Sequence, residues 1–462
     1  MAEEPPASTT DTEPEAPPEP TGAREVFAPP APDPANGRAP AAPRDPGTGE
    51  LPPSNWRGRI LESASDNNFR WFYLSMLGQM ASLNMQMLVR GYLTYELTGS
   101  YAALGTVFLF NAIPGIALSL YGGVLADRVR NKKIVLQVGQ SLNAINAIVV
   151  GLLVLTDVIA FEHLIVASFL QGGVNAIMMP ARQAMMPEVV GRRRLMNAVA
   201  LNAAGRDSIR LLAPAAGGAL LAAFDASWIY FLIAGFYTLA TVALLRVHTD
   251  ALASSDTPSR RATGGGLAEI RDGLRYLWGD PTMRPLLVST VIFALLAMPY
   301  IFLMPGWVAS VLDEGPGKLG ILLSLVGVGS LLGAIFIAAM PPRRRGLLYL
   351  SAVALEGVAL IAYSASEIYW LTAGIIIVVG VGEAGRMSLG NVLVQNYVAD
   401  EYRGRAMSVF MMQRSLASLG TFFVGVLASV VGVQVVIGGL AVALCVLALI
   451  GLYVSPALRR LD

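Results

Sequence analysis

The sequence is poor in charged residues, histidine and cysteine. Only 14% of its 462 residues are charged, whereas soluble domains carry about 25%. The single cysteine, Cys445, excludes an intrachain disulfide, and with two histidines it leaves almost nothing for a metal site. A Walker A motif is also lacking, so ATP is not expected to drive this protein directly. We predict no metal, no cofactor and no nucleic-acid partner. What the chain has instead is 54% hydrophobic residues and a mean hydropathy of +0.57, which indicates a membrane protein.

The first 53 residues differ in composition from the rest of the chain. They hold fifteen of the 28 prolines, and ten acids against three arginines. A tract of this kind buries too little apolar surface to offset the entropy of ordering it. It also lacks the basic and apolar regions of a signal peptide. We therefore predict that residues 1–55 form a disordered cytoplasmic tail.

Long apolar runs predict twelve membrane-spanning helices, since a span needs about 20 mostly apolar residues. They lie near 70–94, 101–124, 133–155, 163–184, 196–222, 227–246, 285–310, 318–340, 347–365, 369–393, 405–430 and 433–455. Basic residues crowd the alternate loops at 128–133, 192–194, 343–345 and 403–405, while the opposite loops are mostly acidic. Basic loops stay on the cytoplasmic side. We therefore predict a multi-pass protein of the cytoplasmic membrane with both termini inside.

The spans divide into two halves of six. The stretch from Ala102 matches the stretch from Gly317 at an offset of 215, so that Leu104-Gly105 aligns with Leu319-Gly320. Parallel repeats of this kind are typical of two-bundle secondary transporters. The predicted organisation is a tail (1–55), a six-helix bundle (56–246), a cytoplasmic linker with an amphipathic helix (247–284), a second bundle (285–456) and a short tail (457–462).

The loop between predicted spans two and three reads YGGVLADRVRNKK. It resembles the G-x-L-A-D-R-x-G-R-K signature of the major facilitator superfamily, although Arg130 replaces the second glycine. The stretches 93–105, 180–190, 273–287 and 393–409 fit the branch of siderophore exporters and drug-efflux proteins. The resemblance covers about residues 70–456. It implies an all-α membrane fold of two pseudo-symmetric six-helix bundles around a central cavity, and we expect a monomer.

The signature loop also predicts a conformational latch formed by Gly123, Asp127 and Arg128. Basic residues in such a loop are explained by topology alone, but topology does not require an acid. Asp127 can pair with cations on neighbouring helix ends when the bundles close on that side, which stabilises one conformation. The second copy of the repeat keeps the arginines and has proline, Pro342, in place of the acid.

Predicted span five carries three charges about halfway through the bilayer, namely Arg206, Asp207 and Arg210. Charges at this depth cost about 2.5–3.5 kcal/mol each, so they usually face a wet cavity or pair with each other. Asp207 and Arg210 are three residues apart and could pair within the helix. The motif that follows resembles G-P-x-x-G-G of antiporters, and its small residues predict close helix packing. Its members are Pro214, Gly217 and Gly218.

Polar residues also form stripes along spans one, four and eleven. In span one, Ser75, Gln79, Ser82, Gln86 and Arg90 recur at steps of three or four and share one face. We predict that the stripes line the substrate cavity, and the alternative is hydrogen bonding between helices. Arg182 lies near the cytoplasmic end of span four, where a long side chain can extend to the surface. The predicted cavity residues are Gln79, Gln86, Arg90, Gln171, Asn175, Arg206, Arg210, Gln413 and Arg414.

The segment 380–385 of span ten reads GVGEAG and fits the G-x-G-x-x-G pattern of dinucleotide sites. No βαβ pattern surrounds it, so glycines for close helix packing are the better explanation. The same span carries Glu383 and Arg386. Glu356 in span nine is also flanked by apolar residues, but span nine is peripheral in the resembled family, and we rank this residue lower.

Together these features predict a secondary transporter rather than an enzyme. Its partners would be a small-molecule substrate, the proton and the lipid bilayer. Proton-driven export needs a carboxylate that loads and releases protons, and Glu383 and Asp207 are the candidates. Because arginines outnumber acids along the cavity, we predict an anionic or neutral polar substrate, for example a siderophore, drug or acidic metabolite. A facilitator or importer on the same fold, and a non-transporting membrane scaffold, remain as alternatives.

Overall fold

A computed structural model describes residues 63, 66–128, 131–248, 278–280, 283–340, 343–399 and 402–454. The predicted tails 1–55 and 457–462, and most of the linker 247–284, lie outside these ranges. The side chains of 116, 118–128, 192–193, 403–405, 408–409, 411–412, 414–415 and 454 also lie outside the description. Helices are the only regular secondary structure in the described part of the chain, as an all-α membrane fold requires.

Twelve helical segments follow one another along these residues, at the positions of the twelve predicted spans. They are α1 (Asn67–Thr98), α2 (Tyr101–Arg128), α3 (Lys132–Leu155), α4 (Phe161–Gly191), α5 (192–223), α6 (Ala226–Leu245), α7 (Met283–Ser310), α8 (Pro316–Ala339), α9 (Arg345–Ala365), α10 (Tyr369–Tyr397), α11 (Arg403–Val431) and α12 (Val433–Val454). We call α1–α6 the N-terminal bundle and α7–α12 the C-terminal bundle.

Eight of the described helices are apolar and long enough to cross a membrane, namely α3, α4, α6, α7, α8, α9, α10 and α12. Shorter apolar stretches occupy Tyr101–Gly115 of α2 and Leu416–Val431 of α11. Helices α1 and α5 fall short because of their polar and charged residues. These residues avoid lipid by facing other helices or water.

Two breaks divide longer helical stretches. Helices α4 and α5 are continuous except at Gly191, whose φ of 72° and ψ of 163° lie outside the helical region. A side chain is strongly disfavoured at that φ, so glycine marks the turn. Helix α7 is interrupted between its segments Met283–Ala297 and Pro299–Ser310, because proline lacks the N–H that would continue the helix.

The two bundles contact each other closely through glycines. A Cβ on Gly105 of α2 would lie 2.8 Å from the Cα of Phe422 in α11. A Cβ on Gly320 of α8 would lie 2.9 Å from the Cα of Gly218 in α5. Gly105 and Gly320 are the pair that the internal repeat aligns, so the repeat appears in space as two equivalent crossings. Both lie at one end of the molecule, where α1 ends and α2 begins.

Candidate functional site

An ion pair joins the two bundles at the centre of the molecule. An Nη atom of Arg210 in α5 donates to the Oε1 atom of Glu383 in α10 at 2.8 Å. The Glu383 side chain is 12% exposed, while the Arg210 side chain is 38% exposed. The carboxylate of the pair is therefore largely buried, while the arginine is partly exposed. Nothing local in the sequence predicts it, because 173 residues separate the partners.

The possible pairing of Asp207 with Arg210 is not the one observed. Asp207 instead lies 3.5 Å from the Nε atom of Arg206, and both side chains are more than half exposed. Arg210 reaches Glu383 because its long side chain extends from α5 toward α10. Exposed charges at this depth need contact with water, since lipid would leave them unsolvated. We therefore expect Arg206 and Asp207 to face water rather than lipid.

A second ion pair lies inside the C-terminal bundle. The guanidinium of Arg386 donates to Glu356 of α9 at 2.7 and 3.3 Å, and the two side chains are only 2% and 0% exposed. From the sequence we rank Glu356 low because α9 is peripheral, and the structure places it in this buried ion pair. The useful signal was chemical, since a carboxylate in an apolar run must find a partner.

The GVGEAG segment explains how Glu356 comes within reach of α10. A Cβ on Gly382 would lie 2.7 Å from the Cβ of Glu356, and a Cβ on Gly385 would collide with Ala352. Gly380 faces α8 in the same way, with the Cα of Gly329 at 3.0 Å from the added atom. The prediction that these glycines serve close helix packing is confirmed.

A buried polar network occupies the N-terminal bundle. Arg90 of α1 donates to the Oε1 atom of Gln171 in α4 at 2.5 Å, and Gln171 in turn donates to Gln86. The hydroxyl of Tyr237 in α6 donates to Gln86 at 3.4 Å. Arg90 is 5% exposed and lies 5.8 Å from the ring centre of Phe108. None of the described carboxylates forms an ion pair with Arg90.

The rest of the polar stripe of α1 also turns into this bundle. Gln140 of α3 donates to Ser75, and Ser82 donates to the carbonyl of Ile233 in α6 at 3.2 Å. Gln79 is buried, and Asn175 accepts from Asn143. This is the arrangement of the alternative interpretation, hydrogen bonding between helices. A cavity-lining role for these side chains stays a prediction that requires another conformation.

Arg182 does not extend to the surface as predicted. It is 7% exposed, and its guanidinium lies 5.7 Å from the ring centre of Phe72 in α1. None of its three nitrogens hydrogen-bonds to the part of the chain that the structure describes. Packing of α1 against α4 covers this side chain, so a position near the helix end did not ensure exposure.

The remaining predicted residues are placed as follows. Gly218 contacts α8, Gly217 faces Met85 of α1, and the carbonyl of Pro214 points at Gly320, as expected for helix packing. Gln413 of α11 is buried and donates to the sulfur of Met387 at 3.7 Å. The side chain of Arg414 lies outside the described residues.

The predicted latch falls at the end of α2. The helix continues to Arg128, so Gly123 and Asp127 belong to its last turns. The side chains of Asp127 and Arg128 lie outside the described part of the chain. The latch therefore remains a prediction from the sequence.

Replacing Asp127 by asparagine should strongly reduce transport while leaving membrane insertion intact. The amide has nearly the same shape but cannot form an ion pair with a cation on a neighbouring helix end. Transport in membrane vesicles and the amount of inserted protein would be measured together. Arg130→Gln is the matched control, because that residue is explained by topology and its loss should leave transport close to normal. Unchanged transport in D127N would mean that the loop determines only the orientation of the protein in the membrane.

The chain is similar to known membrane transporters over most of its length. The sequence profile described as transmembrane secretion effector, a branch of the major facilitator superfamily, matches residues 62–461. An uncharacterised MFS-type transporter, YfiS, of Bacillus subtilis is 27% identical over 79% of this chain and 88% of its own. The multidrug efflux pump Tap of Mycolicibacterium fortuitum is 25% identical over 80% and 91%, respectively. The staphyloferrin A transporter of Staphylococcus aureus is 22% identical over 71% and 82%.

Solved structures agree on the fold. A bacterial homologue of the human lysosomal transporter Spinster, in an inward-facing and unoccupied conformation, superposes with a TM-score of 0.64. The two share 15% sequence identity, and the match covers 88% of this chain and 98% of that one. With the family profile covering nearly all of the chain outside its N-terminal tail, the assignment is clear. The chain belongs to the transmembrane secretion effector family of the major facilitator superfamily, whose members are membrane transporters and not enzymes.

Proposed function

We propose that this protein exports an anionic or neutral polar small molecule across the cytoplasmic membrane by proton-coupled alternating access. The observation that carries the proposal is the ion pair between Arg210 and Glu383. It is a titratable contact between the two bodies that must move relative to each other in such a cycle.

Proton binding at Glu383 would change the contact between the bundles directly. A protonated carboxyl has no net charge, so its attraction to the Arg210 guanidinium falls to that of a neutral hydrogen bond. Any ligand that binds one conformation better than another shifts the population toward it. The proton would therefore favour the conformations in which α5 and α10 are apart, and its release would favour those in which they are joined.

Asp207 is the weaker candidate for this role. Its side chain is 62% exposed and pairs with its own neighbour, Arg206. Protonation there would alter a contact within one helix of the N-terminal bundle. Glu383 is the described carboxylate whose protonation acts between the bundles.

The charges of the described membrane segments support an anionic or neutral substrate. Three of the five arginines whose side chains the structure describes at membrane depth pair with a carboxylate, whereas Arg90 and Arg182 pair with none of the described carboxylates. Both of these belong to the N-terminal bundle, whose interior is thus positive. One relative is named a staphyloferrin A transporter and another a multidrug efflux pump. The name of the efflux pump supports export, and we take a siderophore, drug or acidic metabolite as the candidate substrates.

The crossings at Gly105 and Gly320 indicate which side is closed. Both lie at the end that the basic loops place outside the cell. With both termini cytoplasmic, the protein would be in an inward-facing conformation, the state described for the bacterial Spinster homologue.

Everted membrane vesicles provide the test. An imposed proton gradient should drive uptake of an acidic substrate into such vesicles, which corresponds to export from the cell, and a protonophore should stop it. Lipophilic cations serve as the comparison substrates. Strong transport of cations with none of anions would contradict the substrate class. Transport that persists after the gradient is collapsed would favour the facilitator or importer alternative.

A further inference from the structure

Among the described residues, two arginines lie within reach of Glu383, and the ion pair observed is with the one more distant in the sequence. Arg386 lies three residues further along α10, on the same helix face, and pairs at this spacing are common in helices. Yet two nitrogens of Arg386 point to Glu356, and Glu383 pairs with Arg210 of the other bundle. Something must keep Arg386 away from Glu383.

We propose that Glu356 is a positioning residue that holds Arg386 inside the C-terminal bundle, and thereby leaves Glu383 to join the two bundles through Arg210. This rests on the proposed function, because it assigns to Glu356 the control of the proton-binding contact. Glu356 does not itself touch Arg210, so it acts only through Arg386.

The burial of the second pair makes this control strong. Charges in a low-dielectric interior interact far more strongly than charges in water. A buried arginine that loses its partner is left at a large energetic cost and must find another carboxylate. For Arg386, with its side chain 2% exposed, the nearest alternative is Glu383 one turn away. Removing the charge of Glu356 should therefore redirect Arg386 to Glu383 at the expense of Arg210.

Of the other groups around the four charges, Asp207 of α5 is a carboxylate within electrostatic range of Arg210, but it pairs with Arg206. Tyr300 of α7 and Tyr349 of α9 also lie within electrostatic range of the four charges and are neutral phenols. Helix α8 has a single charged residue, Lys318, at its beginning. The arginine side chains of α11, at 403, 405 and 414, lie outside the description and add no acid. Among described residues the competition is thus between two arginines and two glutamates.

The test measures the distance between the bundles in the full-length protein. In a Cys445→Ala background, spin labels are placed at two exposed positions, Gln183 of α4 and Gln395 of α10. Arg210→Gln, which breaks the ion pair between the bundles, defines the reference shift in the distance distribution. Glu356→Gln should shift the distribution in the same direction and by a similar amount. Combining E356Q with R210Q should add nothing, because the same contact is already lost.

A charge-balanced variant separates this role from a loss of stability. E356Q/R386Q removes the competing arginine together with its partner, so Glu383 should again pair with Arg210 and the distance should return to that of the parent. Replacing both members of a buried ion pair is often neutral for stability. If E356Q does not fold, E356Q/R386Q still tests the proposal. This double variant must keep the distance of the parent, and adding R210Q to it must produce the reference shift.

Three results would overturn the proposal: an unchanged distance in E356Q, a shift that adds to that of R210Q, or no recovery in the double variant. The distance measurement needs neither substrate nor proton gradient. If the distances behave as expected and transport is indifferent to protons, the proposed function fails while the role of Glu356 stands. If transport is proton-driven and the distances do not respond, only the role of Glu356 fails.

Discussion

Replacing Glu383 by glutamine should abolish proton-driven efflux and leave substrate exchange across the membrane intact. Glutamine keeps the size and the hydrogen-bonding capacity of the side chain, which is 12% exposed, but it cannot bind or release a proton. The side chain at position 383 therefore stays neutral, and its contact with Arg210 can no longer change with protonation. The bundles can still rearrange around bound substrate, since exchange needs no net proton movement.

The expected size of the effect follows from the driving force. Moving one elementary charge through 100 mV supplies about 2.3 kcal/mol. Because a factor of ten corresponds to about 1.4 kcal/mol, this can sustain a roughly 50-fold concentration gradient. Vesicles containing the parent protein should approach that accumulation for one charge per cycle. Vesicles containing E383Q should reach only the equilibrium level, while exchange of labelled for unlabelled substrate continues.

Asp207→Asn is the matched comparison for this experiment. It makes the same chemical change at the other candidate carboxylate, which is exposed and does not join the bundles. We expect D207N to retain accumulation. Unchanged proton-driven accumulation in E383Q would remove Glu383 from the mechanism, and loss of accumulation in D207N alone would transfer the role to Asp207.

The fold was largely predictable because each helix carries its own signal. Runs of apolar residues placed the twelve helices, and even the polar α1 and α5 were found at their observed positions. The aligned pair Gly105 and Gly320 served only as evidence of the repeat, and the structure then places both glycines at crossings between the bundles, where the backbones come within contact distance. Local composition suffices to place the helices.

The sequence predicted which residues belong to the site but not how they pair. Arg210 and Glu383 were each identified as charges too costly to bury without a purpose, but their pairing depends on how two distant helices pack. The spacing of the polar residues in α1 showed that they share one face of the helix. It did not show whether that face meets the cavity or another helix, because periodicity defines only a direction on the helix. Glu356 was ranked low by analogy with the family. Arg182 was expected to reach the surface because the sequence does not show which helices pack over it.

Replacing Gly320 by leucine should prevent the bundles from closing at the end where α8 crosses α5. Even a Cβ at this position would lie 2.9 Å from the Cα of Gly218, and closer still to the carbonyl oxygen of Pro214. All of these neighbours are backbone atoms, so only separation of the helices relieves the clash. Overpacking of this kind costs about 1–3 kcal/mol, which changes a population ratio by roughly 5- to 150-fold. A transporter that cannot close one side cannot complete its cycle, and transport should be lost.

The protein should nevertheless fold, because the clash lies between the bundles and not within either of them. Gly374→Leu is the matched control: it introduces the same side chain into α10, where an added Cβ meets no atom within 4 Å. Spin labels at Asp157 and Glu367, both exposed in loops at this end, would report the separation. G320L should lengthen that distance and abolish transport, and G374L should do neither. Normal transport in G320L would contradict this prediction. It would mean that the contact between Gly320 and Gly218 plays no part in the transport cycle.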